Sequence, residues 1–196
     1  VVVNHLMQVV AMAAMEAPAG GDPETLRTAM TTLFKAVKTA DPGKYVRGQY
    51  DGYWEIEGVT PGSTTETYAA MTLEIENWRW SGVPFLIRTG KRLPLTQTEI
   101  RLVFKESPRL GFGIRDAHHE RDQLVIRMDP TTGVRLLLNA KRADRPKPDL
   151  VGLDMTFAEE GGEGATPYEV LLQAAMTGIS ARFARQDGIE EAWRVF

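Results

Sequence analysis

The chain has 196 residues, of which 43% are hydrophobic, and its 23 basic and 26 acidic side chains give a formal net charge of −3. This length and apolar fraction are typical of a globular protein with one sizeable core or two small ones. The balanced charge argues against a nucleic-acid partner, no apolar run approaches the roughly 20 residues of a membrane span, and the absence of cysteine excludes disulfides and thiolate metal sites and fits a reducing cytoplasm.

Two helices are predicted at the start of the chain. Residues 1–16 carry apolar side chains at helical spacing, and a proline and two glycines within residues 18–21 end this pattern. Asp22 followed by Pro23 is a helix-start signal, because an N-cap residue precedes a proline at the first helical position. The predicted buried stripes are Val2, Leu6, Val9, Val10 and Ala13 in the first helix, and Leu26, Met30, Leu33, Phe34 and Val37 in the second.

Beyond residue 43 the apolar period changes from 3.6 to 2, which predicts β-strands. In residues 68–76, for example, Ala69, Met71 and Leu73 alternate with more polar neighbours. Short turns such as 129–133 join these segments, so the strands must be largely antiparallel. The other segments with this alternation are 100–104, 124–128, 134–138 and 153–157.

Another helical pattern follows Pro167 near the end of the chain. Its predicted stripe is Tyr168, Leu171, Leu172, Ala175, Ile179 and Phe183. The sequence therefore predicts an α+β fold, with a large, mainly antiparallel sheet covered by helices from both ends of the chain. No repeat and no linker divides it, so we expect a single domain over residues 1–196. The chain begins without methionine inside an apolar helical pattern, so we also expect a longer polypeptide truncated at both ends.

The segment with the most distinctive chemistry covers residues 77–93 and reads NWRWSGVPFLIRTGKRL. An apolar strand, residues 84–87, ends at a glycine-containing turn that presents Arg88 and Lys91. A cation fixed at a strand end, beside a glycine that permits close backbone approach, suits a phosphorylated or polyhydroxylated ligand. A solvated basic loop at the sheet rim is the alternative interpretation of the same residues.

This segment closely resembles the C-terminal-domain signature of the glucose-6-phosphate dehydrogenase family, and four other blocks agree in the family's order. They read VVVNHLMQVVAMAAMEAP at 1–18, VRGQYDGY at 46–53, DQLVIRMDP at 122–130, and PYEVLLQAAMTG with EEAWRVF near the end. The resemblance covers nearly the whole chain. It implies a substrate-binding and dimerisation domain that follows an N-terminal Rossmann domain, and the catalytic NADP would bind in that upstream domain.

His5 is the catalytic residue that the resemblance implies, because Asn4-His5 matches the block that holds the family's general base. Imidazole, with an ordinary pKa of about 6.5, can accept a proton from a sugar hydroxyl at neutral pH. The carboxylate that orients this histidine in the family belongs to a motif upstream of residue 1. A histidine in an apolar helix can also be a hydrogen-bonded core residue.

Lys91, in the RTGK motif, matches a family lysine that contacts the sugar phosphate. Five residues later the family usually has a second cation, whereas this chain has Thr96. Either a neighbouring cation such as Arg92 substitutes for it, or the phosphate is bound more weakly.

Three arginines match positions that hold a second, structural NADP in some family members. They are Arg88, Arg101 and Arg127. Other positions of that site are neutral here, including Gln97 and Leu137, so the simpler interpretation is that these arginines pair with acids on the open face of the sheet. The resemblance also implies a homodimer or a dimer of dimers through the sheet.

Two further motifs carry little weight. His118 and His119 are adjacent and have no third ligand at a diagnostic spacing, so we predict no metal site. Gly111-Phe112-Gly113 is a weak match to a phosphate-binding loop and lies between predicted strands.

The activity implied by the resemblance is oxidation of glucose 6-phosphate to 6-phosphogluconolactone by NADP, in the cytoplasm and at the start of the oxidative pentose phosphate pathway. We expect the 196 residues alone to be inactive. Two alternatives stay open: a non-catalytic assembly or regulatory homologue, and a related sugar-phosphate dehydrogenase with another substrate preference. Thr96 motivates both, whereas Asn4-His5 and the RTGK motif favour the enzyme. The preference for NADP over NAD depends on residues upstream.

Overall fold

A computed structural model of the chain describes residues 1–106, 120–141, 143–144, 148–157 and 166–196. The chain forms two compact units. The first consists of Val1–Leu93 and Ala165–Phe196, and the second of Pro94–Gly164.

The first unit contains the four α-helices of the described residues. They are α1, Met7–Ala14; α2, Pro23–Ala36; α3, Pro167–Met176; and α4, Gln186–Arg194. A π-helical turn, Val2–Leu6, leads into α1. Asp22 caps α2 as predicted, because its carboxylate accepts hydrogen bonds from the backbone N–H groups of Glu24 and Thr25, at 2.9 and 3.0 Å. None of the helices in the described ranges is both long and apolar enough to cross a membrane.

Three antiparallel strands form the sheet of the first unit, in the order β1-β2-β3. They are β1, Tyr45–Gly48; β2, Tyr68–Glu74; and β3, Pro84–Gly90. The alternation predicted for β2 is confirmed, because Ala69, Met71 and Leu73 are buried against the helices. The core of this unit consists of Met7, Ala11, Ala14, Leu33, Phe34, Val37, Ala69, Met71, Leu73, Ile75, Ala192 and Val195.

The second unit is a four-stranded antiparallel sheet in the order β4-β5-β6-β7. The strands are β4, Thr98–Val103; β5, Gln123–Asp129; β6, Gly133–Lys141; and β7, Pro148–Thr156. Because directly paired residues share a face, the register separates an apolar face from a charged one. One row of the apolar face runs Leu102, Leu124, Leu136, Leu153.

The α+β class and the antiparallel pairing are confirmed. The strands form two sheets rather than the one large sheet predicted, because the pairing ends at β3 and begins again at β4, and two details of the helices were also wrong. The fully buried residues of the first helix are Met7, Ala11 and Ala14, one residue beyond the predicted Leu6, Val10 and Ala13, although Val2 and Val10 also pack against the core. The cause is the π-helical turn, in which the N–H of Leu6 bonds to the carbonyl of Val1 at 3.1 Å, since its wider winding shifts the phase of the residues that follow.

The C-terminal stripe was the second error. It is not one continuous helix, because α3 ends at Met176 and a 3₁₀ turn, Ser180–Arg182, separates it from α4. Its large side chains are not core either: Tyr168 and Leu172 are 80% and 63% exposed. Among the side chains of α3 that the structure describes, the buried one is Ala174, which the predicted stripe did not include.

Candidate functional site

One end of the first sheet holds the segment that the sequence singled out. Gly48 of β1, Tyr68 of β2 and Gly90 of β3 are direct neighbours across the sheet, and Lys91 follows immediately. A β-carbon at Gly90 would lie only 2.8 Å from Cδ2 of Tyr68, so a side chain at this position would displace the strand end. The glycine therefore lets the chain pass Tyr68 closely before Lys91.

Thr67 ties this strand end together. Its carbonyl accepts a hydrogen bond from the backbone N–H of Lys91 at 2.8 Å, and its own N–H donates to the carbonyl of Gly48 at 2.9 Å. Its hydroxyl accepts from the backbone N–H of Tyr50 at 3.0 Å. Three chain segments are thus joined through one residue, which fixes the backbone at Lys91 while its side chain stays exposed.

Arg92 has an unusual backbone conformation and an aromatic contact. Its φ is +52°, and it is the one residue other than glycine with a positive φ among those that the structure describes. Its guanidinium carbon lies 4.6 Å from the ring centroid of Tyr50. Tyr50 in turn packs edge-to-face against Tyr53, with ring centroids 5.6 Å apart.

The cations of β3 and of the turn that follows it lack the acidic partners found elsewhere in the first unit. Arg47 pairs with Glu66 at 3.9 Å and Arg79 with Glu16 at 2.6 Å. No described carboxylate forms an ion pair with any of the cations of β3 and its turn, which are Arg88, Lys91 and Arg92. A local excess of positive charge therefore lies at the end of β3, and it suits an anionic ligand.

His5 lies in the π-helical turn before α1 and is exposed. Two neighbours in this turn, Val2 and Val3, pack against the core and anchor its backbone. Within the described ranges nothing hydrogen-bonds to the imidazole, so His5 is not the hydrogen-bonded core histidine of the alternative interpretation.

Two cavities of the first unit are lined by residues other than His5 and Lys91. The first, of about 200 Å³, lies among α1, α2 and the 3₁₀ turn and is lined by Met12, Met30 and Phe183 among others. The second, of about 250 Å³, is polar and lies beside Lys38, Lys44 and Glu74. A shared pocket for His5 and Lys91 remains a prediction.

Two of the arginines assigned to a structural NADP site lie on the charged face of the second sheet. Arg101 donates to Glu99 at 2.9 Å and to Gln123 at 2.8 Å. Nη2 of Arg127 lies 3.3 Å from Asp154, which is an ion-pair distance. The geometry is not that of a hydrogen bond, however, and Nε and Nη2 of Arg127 are buried without a hydrogen-bond partner among the described atoms.

Arg88, the third of these arginines, is in the first unit, on β3, where it is paired with Ala70 of β2 and exposed. Among the described side chains, no three histidine, aspartate or glutamate residues are grouped so as to hold a metal ion. His118, His119 and the motif at 111–113 lie outside the described residues.

Tyr50 and Thr67 are the site residues that sequence reasoning missed. The block VRGQYDGY, which includes Tyr50, was noted only as part of the family resemblance. No local sequence signal pointed to Thr67. It contacts Tyr50 and Lys91 only because the end of β1, the start of β2 and the end of β3 lie at the same end of the sheet.

Comparison with known proteins agrees with this architecture. A family model described as glucose-6-phosphate dehydrogenase, C-terminal domain, matches residues 1–196. Glucose-6-phosphate 1-dehydrogenase 1 of Mycobacterium tuberculosis is 44% identical over 195 residues, which cover 100% of this chain and 41% of that protein. The cytoplasmic isoform of glucose-6-phosphate 1-dehydrogenase from Solanum tuberosum is 32% identical over 199 residues, 100% of this chain and 39% of the relative.

Two solved structures are similar over the whole chain. The crystal structure of glucose-6-phosphate 1-dehydrogenase from Mycobacterium avium superposes with a TM-score of 0.89 at 45% identity, covering 100% of this chain and 42% of that one. A glucose-6-phosphate dehydrogenase in complex with its substrate glucose-6-phosphate gives 0.85 at 33% identity, with coverage of 100% and 42%. The chain thus spans about two fifths of the length of its relatives. It belongs to the glucose-6-phosphate dehydrogenase C-terminal domain family.

Proposed function

We propose that these 196 residues are the C-terminal part of an NADP-dependent glucose-6-phosphate 1-dehydrogenase, which oxidises glucose 6-phosphate to 6-phosphogluconolactone. The observation that carries the proposal is the backbone of Lys91, which is held at a three-strand junction. The cations of β3 and its turn, Arg88, Lys91 and Arg92, have no acidic partner among the described residues. An ammonium group that extends from such a fixed backbone, with no acidic partner among the described residues, is suited to a phosphate ester. The identity of the sugar whose phosphate Lys91 would hold is inferred from the family.

In this reaction the anomeric carbon loses a hydride and its hydroxyl loses a proton, so that a lactone carbonyl forms. NADP, when bound in an upstream Rossmann domain, would be the hydride acceptor. His5 accepts the hydroxyl proton as general base. Lys91 holds the phosphate at the other end of the hexose, which limits the positions of the anomeric carbon and thereby lowers the entropic part of the barrier.

The orienting group for His5 is part of the same proposal. No described side chain hydrogen-bonds to its imidazole, so a carboxylate from the upstream domain would fix the tautomer and stabilise the imidazolium. We expect residues 1–196 to serve as one substrate-binding and dimerisation domain of the longer enzyme.

A structural NADP has weaker support. The unsatisfied Nε and Nη2 of Arg127 fit an anionic group, but Asp154 stands beside them and Arg101 is already engaged by Glu99. Described residues therefore do not form a complete phosphate-binding set on this face, and no step of the reaction depends on it.

The assembly and the cellular setting complete the proposal. The apolar face of the second sheet carries Leu153 and Met155, which are 60% and 62% exposed, and a second copy of the chain would cover it in a homodimer or a dimer of dimers. The proposal also includes a cytoplasmic location, as in the relative named a cytoplasmic isoform, and a place at the start of the oxidative pentose phosphate pathway.

The test uses the complete protein of which these residues are proposed to be the C-terminal part. Wild-type protein should reduce NADP in the presence of glucose 6-phosphate, and His5→Asn should lower kcat by roughly 10²–10⁴-fold, since general base catalysis contributes that much. The purified 196 residues alone should produce no NADPH. His5→Asn with wild-type kcat would contradict the assignment of the base, and a complete protein that binds but never oxidises sugar phosphates would favour the non-catalytic alternative.

A further inference from the structure

We propose that Arg92, presented by the ring of Tyr50, is a second phosphate-binding cation beside Lys91 and a determinant of specificity for the phosphorylated sugar. This inference rests on the proposed function, because it names a further residue of the same site. It concerns a residue that the RTGK motif does not include.

The backbone of Arg92 is the first observation. A left-handed conformation is uncommon for a residue with a β-carbon, and such conformations persist where the surrounding structure requires them. Arg92, with its φ of +52°, lies between Lys91 and Leu93. The side chain of Leu93 folds back to within 3.3 Å of where a β-carbon of Gly90 would be. The turn therefore reverses sharply, and the side chain of Arg92 lies over Tyr50.

The contact with Tyr50 leaves the guanidinium able to bind an anion. The guanidinium carbon lies 4.6 Å from the ring centroid, and a guanidinium in contact with an aromatic ring can still donate through the N–H groups that the ring does not cover. No described carboxylate or carbonyl accepts a hydrogen bond from Arg92, and the residue is exposed. A planar donor held by a ring loses less side-chain entropy when it binds phosphate in a bidentate manner.

Thr67 relates this arginine to Lys91. It holds the backbone of Lys91 through its carbonyl and the backbone of Tyr50 through its hydroxyl, at 2.8 and 3.0 Å. Lys91 and Arg92 are consecutive in the chain. Thr67 binds the backbone of Lys91 and also the backbone of Tyr50, whose ring contacts Arg92. One phosphate with several acceptor oxygens can accept from both.

The experiment compares Arg92→Gly with wild type in the complete enzyme. Glycine adopts the left-handed conformation without strain, so this variant should fold normally while it loses the cation. We expect kcat/KM for glucose 6-phosphate to fall by roughly tenfold, mainly through KM, because a charge-assisted bond to phosphate is lost. Activity with unphosphorylated glucose should stay within about twofold, because its binding does not involve this bond.

Three further variants separate binding from structure. Arg92→Lys should retain part of the preference for the phosphorylated sugar, because it keeps the charge without the planar fork. Tyr50→Leu should lose several-fold in kcat/KM for glucose 6-phosphate because the ring is lost, and Tyr50→Phe, which keeps the ring, should recover most of that loss. Arg47→Gly is the matched control, since Arg47 also lies over a tyrosine, 5.1 Å from the ring centroid of Tyr45, but has Glu66 as its partner.

The outcomes distinguish this inference from the proposed function. Arg92→Gly with an unchanged ratio of glucose 6-phosphate to glucose activity would overturn the role of Arg92 and leave the dehydrogenase intact. Equal losses with both sugars would also overturn it, because they indicate a structural role. A wild-type enzyme that does not oxidise glucose 6-phosphate would instead overturn the proposed function, and this inference with it.

Discussion

Lys91 and His5 are held by the fold in different ways. Lys91 follows a strand of seven residues and its N–H is bonded to the neighbouring segment, so its backbone position is determined within this chain. His5 has a backbone anchored by Val2 and Val3, but its exposed imidazole makes no hydrogen bond to the described residues. The backbone at the phosphate end of the proposed site is therefore organised locally, whereas the proposed base has no orienting partner among the described residues.

Lys91→Ala in the complete enzyme should raise the KM for glucose 6-phosphate by tenfold or more, because a charge-assisted bond to phosphate contributes about 1.5–3 kcal/mol. The backbone bond of Lys91 to Thr67 does not involve the side chain, so the fold should be unaffected. Steady-state kinetics, with Lys35→Ala on α2 as a control for loss of an exposed lysine, measure the effect. An unchanged apparent affinity for the sugar phosphate would refute the role of Lys91.

At the scale of elements, two helices that are far apart in sequence are joined by charged side chains. Arg185, the N-cap residue of α4, donates to Glu24 at the start of α2 at 3.0 Å and to Asp187 at 2.7 Å. Arg27 pairs with the same glutamate. At the other end of α4, Arg194 donates to the carbonyls of Phe34 and Val37 at 2.8 and 2.9 Å. Both ends of α4 are thus fixed to α2.

The stability of this helix pair should decrease in acid. Hydrogen bonds from Arg185 and Arg27 hold the pKa of Glu24 below its ordinary value, and Arg185 does the same to the pKa of Asp187. A carboxyl group with a lowered folded-state pKa stabilises the folded state at pH values above its unfolded pKa, about 4, and this contribution is lost as the pH falls through the folded pKa.

Glu24→Gln should therefore lower the urea midpoint at neutral pH, and its difference from wild type should shrink as the pH falls below about 4. Urea unfolding at several pH values, followed by circular dichroism, measures this difference. Glu57→Gln is the control, since Glu57 is exposed and has no ion pair among the described residues. A difference in urea midpoint between Glu24→Gln and wild type that does not depend on pH would contradict the stabilising role assigned to the Glu24 carboxylate.

At the scale of the whole molecule, the second sheet has two chemically different faces. Arg101, Arg135 and Asp154 lie on one of them, and Arg135 and Asp154 are 3.4 Å apart. The opposite face carries leucine, isoleucine, valine and methionine side chains, with those of β7 the most exposed. A contiguous exposed apolar sheet face is typical of an interface, and the charged face is not.

Leu153→Asp in the complete enzyme should therefore reduce the oligomer to a smaller species, because the new carboxylate would be buried without a partner at a subunit interface. Light scattering coupled to size exclusion measures the mass. Arg135→Ala, on the opposite face, should leave the mass unchanged and cost about 0–1 kcal/mol of stability at most. An intact oligomer for Leu153→Asp, or a dissociated one for Arg135→Ala, would show that the interface lies elsewhere.

Local chemistry explains which features could be predicted from the sequence. Asp22 before Pro23 set the start of α2, and alternation at Ala69, Met71 and Leu73 identified a strand with one buried face. These signals are local, because a cap or a strand period depends on residues a few positions apart. The family resemblance added Lys91 and His5 from motifs in the same short stretches.

Tertiary structure alone decided the features that depend on distant residues. The π-helical turn moved the buried stripe of α1 to Met7, Ala11 and Ala14, and the strands divided into two sheets rather than one. Tyr50 and Arg92 are 42 positions apart and meet because the end of β1, the start of β2 and the end of β3 lie together at one end of the sheet. The sequence by itself determined α2 and the alternating strands with their polarity, since these follow from neighbouring side chains, but it did not separate α3 from α4. Strand register decided which side chains meet at the site. The register depends on the burial of a whole sheet face, and the residues of that face are distant in sequence.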